Sequence, residues 1–207
     1  EARIDQSYLG LTTRTLATAD ARAQAADVRG LERLLMDVRL QDERLGHARP
    51  DAITNLVSTL GARLDAARRL SLARERFALR LPELRRFESI LVDQSDRLDA
   101  LRPALENIRA LALSAPAGFS LVERTAAGVL AIVAPLDPPE ELRVAHALLQ
   151  SASQLATSAA RIRREAALAN DLPRAWDASS AAAGALMMFD RARTELQSAL
   201  SLPQLVQ

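Results

Sequence analysis

The chain has 207 residues, 49% of them hydrophobic, which suffices for one large domain or two small ones with a sizeable core. Its 27 basic residues are all arginine and balance 26 acidic residues, so the net charge of +1 gives no electrostatic reason to expect a nucleic-acid partner. An aromatic content of 3% excludes aromatic stacking platforms, and the absence of cysteine excludes disulfides.

Three features bear on where the protein acts. The lack of cysteine fits an extracytoplasmic protein without disulfides, and equally a protein that never needed a thiol. The first residue is Glu1 and not methionine, which indicates a processed or trimmed product and leaves room for a removed signal or anchor. The most apolar run, Thr125–Leu136, is about half of the roughly 20 residues that cross a bilayer. We expect a periplasmic or cell-envelope protein, with any membrane anchoring through segments outside this chain.

Strong helix formers dominate the chain and strand signals are missing, so we predict an all-α protein of about six helices. The first helix runs from about Ile4 to Leu45, and the second begins after Asp51 as its N-cap. Pro82 predicts the next boundary or kink. Beyond it, apolar positions alternate in steps of three and four residues, as in a coiled-coil seam. The seam comprises Leu84, Phe87, Leu91, Gln94, Leu98, Leu101, Leu105, Ile108 and Ala112.

Two residues interrupt the regularity of this seam. Pro103 lies inside it and predicts a bend there and not an end. Gln94 is its one polar member, which either fixes the register from a core position or lies at the edge of the seam; we favour the edge. A fourth, very apolar helix should follow, because Ser120 and Glu123 form a capping box, and it should end at Pro135.

The last two helices are separated by a very short loop. The fifth helix is predicted to open with Asp137 as N-cap, Pro138 at its first position and Glu140 at its third. The loop lies around Asn170 and Asp171, so the fifth and sixth helices must pair antiparallel.

These two helices carry complementary seams. The fifth places Ala145, Leu148, Ala152, Leu155, Ala159, Ile162 and Ala166 on one stripe, and the sixth places Ala175, Ala178, Ala182, Ala185, Phe189, Ala192 and Leu196. In an antiparallel pair the numbers of facing residues have a constant sum, here about 341, so each large residue meets an alanine. We predict an Ala-rich, tight hairpin whose helix axes approach to roughly 8 Å.

No constellation for catalysis is visible. The two histidines, His47 in a loop and His146 on the fifth helix, lie far apart without cysteines, and the register places His146 near Glu195 as an ordinary surface pair. Phosphate-binding loops, nucleophile elbows and paired-histidine zinc motifs are missing. We predict no enzyme activity, no catalytic residue, no cofactor-binding residue or cofactor, and no metal site.

The best candidate site is "RIRRE", residues 161–165, near the tip of the hairpin. Arg161, Arg163 and Arg164, with Trp176 alongside, could bind an anion or the acidic surface of a partner. The alternative interpretation is a solvated helix end, where cations favour the helix dipole.

The sequence thus predicts a single elongated antiparallel helical bundle over residues 1–207, or two sub-bundles over about 1–115 and 116–207. In general shape it is similar to the periplasmic helical-bundle sensor regions that lie between two membrane helices. We expect a non-enzymatic extracytoplasmic interaction or scaffold module, whose partner is a protein and not a nucleic acid. The alternative is a periplasmic ligand-sensing ectodomain of a membrane signalling receptor, of the histidine kinase or chemoreceptor type.

Overall fold

The structure is a computed structural model that describes residues 2–112 and 116–205, and these residues form an all-α fold without strands. Seven α-helices and one short 3-10 helix, Glu140–Leu142, lie in the described ranges. The α-helices are α1 Ala2–Gln24, α2 Val28–Arg44, α3 Pro50–Asp99, α4 Arg102–Arg109, α5 Pro116–Val133, α6 Arg143–Ala169 and α7 Leu172–Ala199. The prediction of an all-α helical bundle is confirmed.

The chain divides into two compact units. The first unit comprises Glu1–Leu79 and Leu202–Gln207, and the second comprises Arg80–Ser201. The long helix α3 therefore contributes its N-terminal part to the first unit and its C-terminal part to the second.

In the first unit, a corner separates α1 from α2, so the single helix predicted from Ile4 to Leu45 is wrong. Ala26 adopts a left-handed conformation with φ of 58° and ends α1. Asp27 then caps α2, since its carboxylate accepts a hydrogen bond from the Gly30 backbone N–H at 2.9 Å. A Cβ at Gly30 would lie 1.9 Å from Asp27 Oδ2, so only glycine leaves room for this cap.

Arg74 joins this corner to the C-terminal segment of the first unit. Its guanidinium donates hydrogen bonds to the carbonyl oxygens of Gln24, Ala25 and Pro203, each at 3.1 Å. Two of these carbonyls belong to the end of α1, where unpaired acceptors and the helix dipole favour a cation. Leu205 adds an apolar contact with the core of the first unit.

Pro82 was predicted to mark a helix boundary or a kink, and it lies inside α3, so no helix boundary occurs there. Pro103 was predicted to mark a bend and not an end, and that prediction is wrong. The helix ends instead at Asp99, and Pro103 lies in the first turn of α4. Proline is tolerated at that position because the first N–H groups of a helix have no intrahelical acceptor.

Two predicted helix starts are also wrong. Helix α5 begins at Pro116, so Ser120 lies inside it and forms no capping box; the reason is that its buried stripe extends upstream to Phe119. Helix α6 begins at Arg143 and not at Asp137, because a 3-10 turn comes first and places Leu142 in the core with no exposed surface. Burying leucine is worth about 1.5–3 kcal/mol, more than a typical N-cap of about 1 kcal/mol.

The hairpin of α6 and α7 in the second unit follows the predicted packing in most of its seam positions. All seven predicted seam residues of α7 are buried, and so are the four seam alanines of α6. The three larger seam residues of α6 are only half-buried: Leu148, Leu155 and Ile162. Glu165 and Arg174 form an ion pair of 2.7 Å across the hairpin, and a Cβ at Gly184 would lie 3.2 Å from Leu155 Cδ1. The residue numbers of both pairs add to 339, two less than the predicted sum of about 341, which is a shift of about half a helical turn.

Helix α6 buries a second stripe that the seam did not include. His146, Leu149, Ser153, Ala156 and Ala160 are buried in addition to the seam alanines. One apolar cluster joins α6 to both α5 and α7. It contains Ala156, Ala159 and Ala160 of α6, Phe119, Val122 and Ala126 of α5, and Ala178, Ala182 and Ala185 of α7. Helix α6 is therefore covered on two sides.

The register predicts the effect of enlarging one seam alanine. Ala159 and Ala182 have no exposed surface and belong to the same cluster, so Ala159→Leu should overpack the interface and lower the free energy of unfolding by about 1–3 kcal/mol. Ala147 on the same helix is exposed, and Ala147→Leu should cost little because helix propensity barely changes. Thermal melts of both variants check this; equal melting of Ala159→Leu and the wild type would place the seam on the wrong face.

Candidate functional site

The tip of the hairpin is built by three local signals in "ANDLP". Asn170 adopts the left-handed conformation with φ of 50°, which asparagine tolerates better than most residues, and so ends α6. Asp171 caps α7 by accepting a hydrogen bond from the Arg174 backbone N–H at 3.0 Å. Pro173 lies in the first turn of α7, where it costs no hydrogen bond.

The three arginines predicted at this tip point to different neighbours. Arg161 lies 3.4 Å from Glu165 on its own helix, and Arg164 forms an ion pair of 2.7 Å with Glu123 of α5. Arg163 instead covers the ring of Phe119, with its guanidinium carbon 5.7 Å from the ring centre. The structure therefore does not gather these side chains into one anion site.

Trp176 belongs to an apolar surface at the same tip. It is 59% exposed, and it follows Leu172, 64% exposed, by one helical turn on α7. Leu168, 76% exposed, lies just before the loop. We call Leu168, Leu172 and Trp176 the tip patch. Among the described residues, no ring contact joins Trp176 to an arginine, so the pairing expected from the sequence is not formed.

A cleft of about 370 Å³ opens beside the tip patch. Its walls come from the segment after α4, from α5 and from both helices of the hairpin. They include Leu111, Phe119, Arg163, Ala166, Leu172 and Ala175. The cleft was not anticipated, because it requires four chain segments that no local pattern brings together.

Two buried side-chain atoms lack a hydrogen-bond partner in the part of the chain that the structure describes: Gln94 Oε1 and Arg163 Nε. Gln94 is only 5% exposed, so the prediction that it lies at the edge of the seam is wrong. It occupies a core position, where an unpaired amide oxygen costs stability. Arg163 is one of the residues that line the cleft.

His146 does not lie on the surface near Glu195, as the register suggested. It is 7% exposed, its Nε2 lies 2.8 Å from the Val133 carbonyl oxygen, and its ring meets Phe87 edge-on with centres 6.2 Å apart. The reason is the second buried stripe of α6, which faces other helices and not solvent. His146 is a structural core residue that links α6 to the end of α5.

The first unit contains a polar cluster that the sequence analysis missed. Asp42 is 8% exposed and receives a hydrogen bond from Tyr8 Oη at 2.8 Å, and its other oxygen lies 2.7 Å from His47 Nδ1. The Ala48 backbone N–H donates to Tyr8 Oη at 3.1 Å. The available signal was an aspartate at a core position of the apolar stripe, between Val38 and Leu45.

The hydrogen bonds of this cluster hold segments of the first unit together, so we call Tyr8, Asp42 and His47 the structural tie. The hydrogen bond from His47, followed by that from Tyr8, holds the pKa of Asp42 below its ordinary value against the effect of burial. Burial and the Asp42 carboxylate raise the pKa of Tyr8. Within residues 2–112 and 116–205, no group of three or more His, Asp or Glu side chains is placed to hold a metal ion. The cluster joins α1 to the end of α2 and the loop before α3.

The lowered pKa of Asp42 makes the stability of the protein depend on pH. A carboxylate with a depressed folded-state pKa contributes stability above its unfolded pKa of about 3.9, and this is lost as the pH falls through the folded-state value. Urea unfolding at pH 5 and pH 3 should therefore show a larger loss for the wild type than for Asp42→Asn. Asp5→Asn is the control, because the pKa of Asp5 is also lowered but its side chain is 54% exposed and better screened. Equal losses in the wild type and Asp42→Asn would contradict the tie.

Comparison with protein-family models, with curated proteins and with solved structures found no match for this chain. Within the described ranges, none of the helices combines the length and the apolar character needed to cross a membrane. The function must therefore be argued from the geometry of the chain itself.

Proposed function

We propose that this protein is a non-enzymatic interaction module that binds a protein partner through the tip patch. The observation that carries the proposal is the exposure of Leu168, Leu172 and Trp176, each well over half exposed, at the end of a hairpin whose seam alanines are buried. Exposed apolar side chains grouped at one place are typical of interaction sites.

The composition of the tip supports a protein partner. Tryptophan and arginine are the residues most enriched among those that dominate binding energy in protein interfaces. Trp176 is the only tryptophan of the chain. Arg161, Arg164 and Arg174 are held in place by ion pairs with Glu165 and Glu123, so they can form a fixed polar rim around the apolar side chains.

The titratable groups support a role without catalysis. The other described residues with shifted pKa values belong to ion pairs between helices or at helix ends. Arg49 lowers the pKa of Asp5, Arg80 lowers that of Glu141, and Asp190 with Asp99 raises that of Arg102. Each shift follows from a structural contact and needs no substrate to explain it.

A ligand-sensing ectodomain is the second candidate function, and the cleft beside the tip patch favours it. A volume of about 370 Å³ lies in the range of small-molecule sites. An extracytoplasmic location belongs to both proposals. Cell fractionation with an antibody against the protein tests it, since recovery in the cytoplasmic fraction alone would contradict both.

The tip proposal predicts which surface changes abolish partner binding. Proteins recovered with the wild type should be lost with Leu168→Ser combined with Trp176→Ser. Melting should hardly change, because both side chains are exposed. Met187→Ser is the matched control, because Met187 is a 60% exposed apolar side chain on α7 roughly 20 Å from the tip. Retained binding by the double variant, or equal loss with Met187→Ser, would refute the proposal.

A further inference from the structure

The cleft beside the tip patch has the dimensions and lining of a binding site for a small molecule. It measures about 370 Å³ and is walled mainly by apolar side chains, among them Leu111, Phe119 and Leu172. Sites of this kind carry few polar groups, which orient the ligand. The charged side chains that line this cleft are Arg163 and Asp171.

Arg163 is unsatisfied in a way that its neighbours are not. Arg161 and Arg164 each pair with a carboxylate, whereas no described Asp or Glu lies within ion-pair distance of Arg163. Its Nη2 makes only a long contact of 3.4 Å with the Ala112 carbonyl oxygen, and its Nε is buried without a partner. A guanidinium has five donors, and leaving a buried donor unpaired costs stability.

The carboxylate of Asp171 is already engaged at the same cleft. Its Oδ1 accepts the backbone N–H of Arg174 as the N-cap of α7. Arg163 is the cation that lines the cleft, and its planar fork matches a carboxylate in a bidentate pair.

We propose that this cleft binds a small amphipathic carboxylate, with the carboxylate on Arg163 and the apolar body against Phe119, Leu111 and Leu172. Binding brings the Nε and Nη2 edge of Arg163 away from its long contact with Ala112 and onto the ligand. The cleft shares Leu172 with the tip patch, but neither Leu168 nor Trp176, the two residues changed in the partner-binding test, lines it. The two tests can therefore fail separately.

The test uses octanoate as the probe and Trp176 as the reporter. Trp176 directly follows Ala175, which lines the cleft, and it is the only tryptophan of the chain. Its fluorescence should change saturably with octanoate at a Kd below about 1 mM, and not with octanol or octylammonium. Isothermal titration calorimetry gives the same Kd independently of the reporter.

Variants of the arginines separate a specific site from apolar adsorption. Arg163→Gln should weaken octanoate binding at least about tenfold, the loss of one charge-assisted pair, and Arg163→Lys should keep part of the affinity because it keeps the charge. Arg161→Gln is the matched control and should bind like the wild type. Thermal melts identify any variant that fails to fold. If Arg163→Gln does not fold, the octanoate affinity of Arg163→Lys is compared with that of the wild type instead. Absence of saturable binding, equal binding of octanol, or unchanged binding in Arg163→Gln would overturn the proposal.

Discussion

The close packing of α6 against α7 is the constraint on which the second unit depends. Small side chains along both helices leave room for the larger residues of the partner helix, so dispersion contacts are gained without voids. Ala178, Ala182 and Ala185 have no exposed surface, and the same cluster includes side chains of α4 and α5. Helix α6 is thus held on two sides, and its alanines serve two interfaces at once.

The candidate sites follow from this packing. Since the seam continues to Ala166 on α6 and begins at Ala175 on α7, the loop between the helices is short and the side chains around it have no core to enter. Leu168 and Trp176 therefore face solvent. The guanidinium of Arg163 lies over the ring of Phe119. Both proposed functions rest on the same feature, a tight hairpin with an apolar tip and a cleft beside that tip.

The sequence predicted the buried positions that recur periodically along one helix, and it missed those whose burial depends on contacts with several other segments. The steps of three and four residues identified the seam of α7, whose positions are all buried, but not the buried Ser179 and Leu186 beside it, and "ANDLP" identified the loop. The same pattern could not show the second stripe of α6, because burial of His146 depends on α5 and α3. The corner at Ala26 and Asp27 was missed because helix formers surround it. The only local signals for it are Asp27, the N-cap of α2, and Gly30, which leaves room for that cap.

Cross-linking across the hairpin tests its packing most directly. The chain has no cysteine, so the paired variant Ala159→Cys with Ala182→Cys reports on a single contact. A disulfide requires Cα atoms within about 7 Å, and the predicted register places this pair face to face. Ala152→Cys with Ala182→Cys is displaced by two turns, roughly 10 Å, although both positions are buried. Rapid oxidation of the first pair and not of the second is expected; the opposite result would contradict the register and the account of the tip that rests on it.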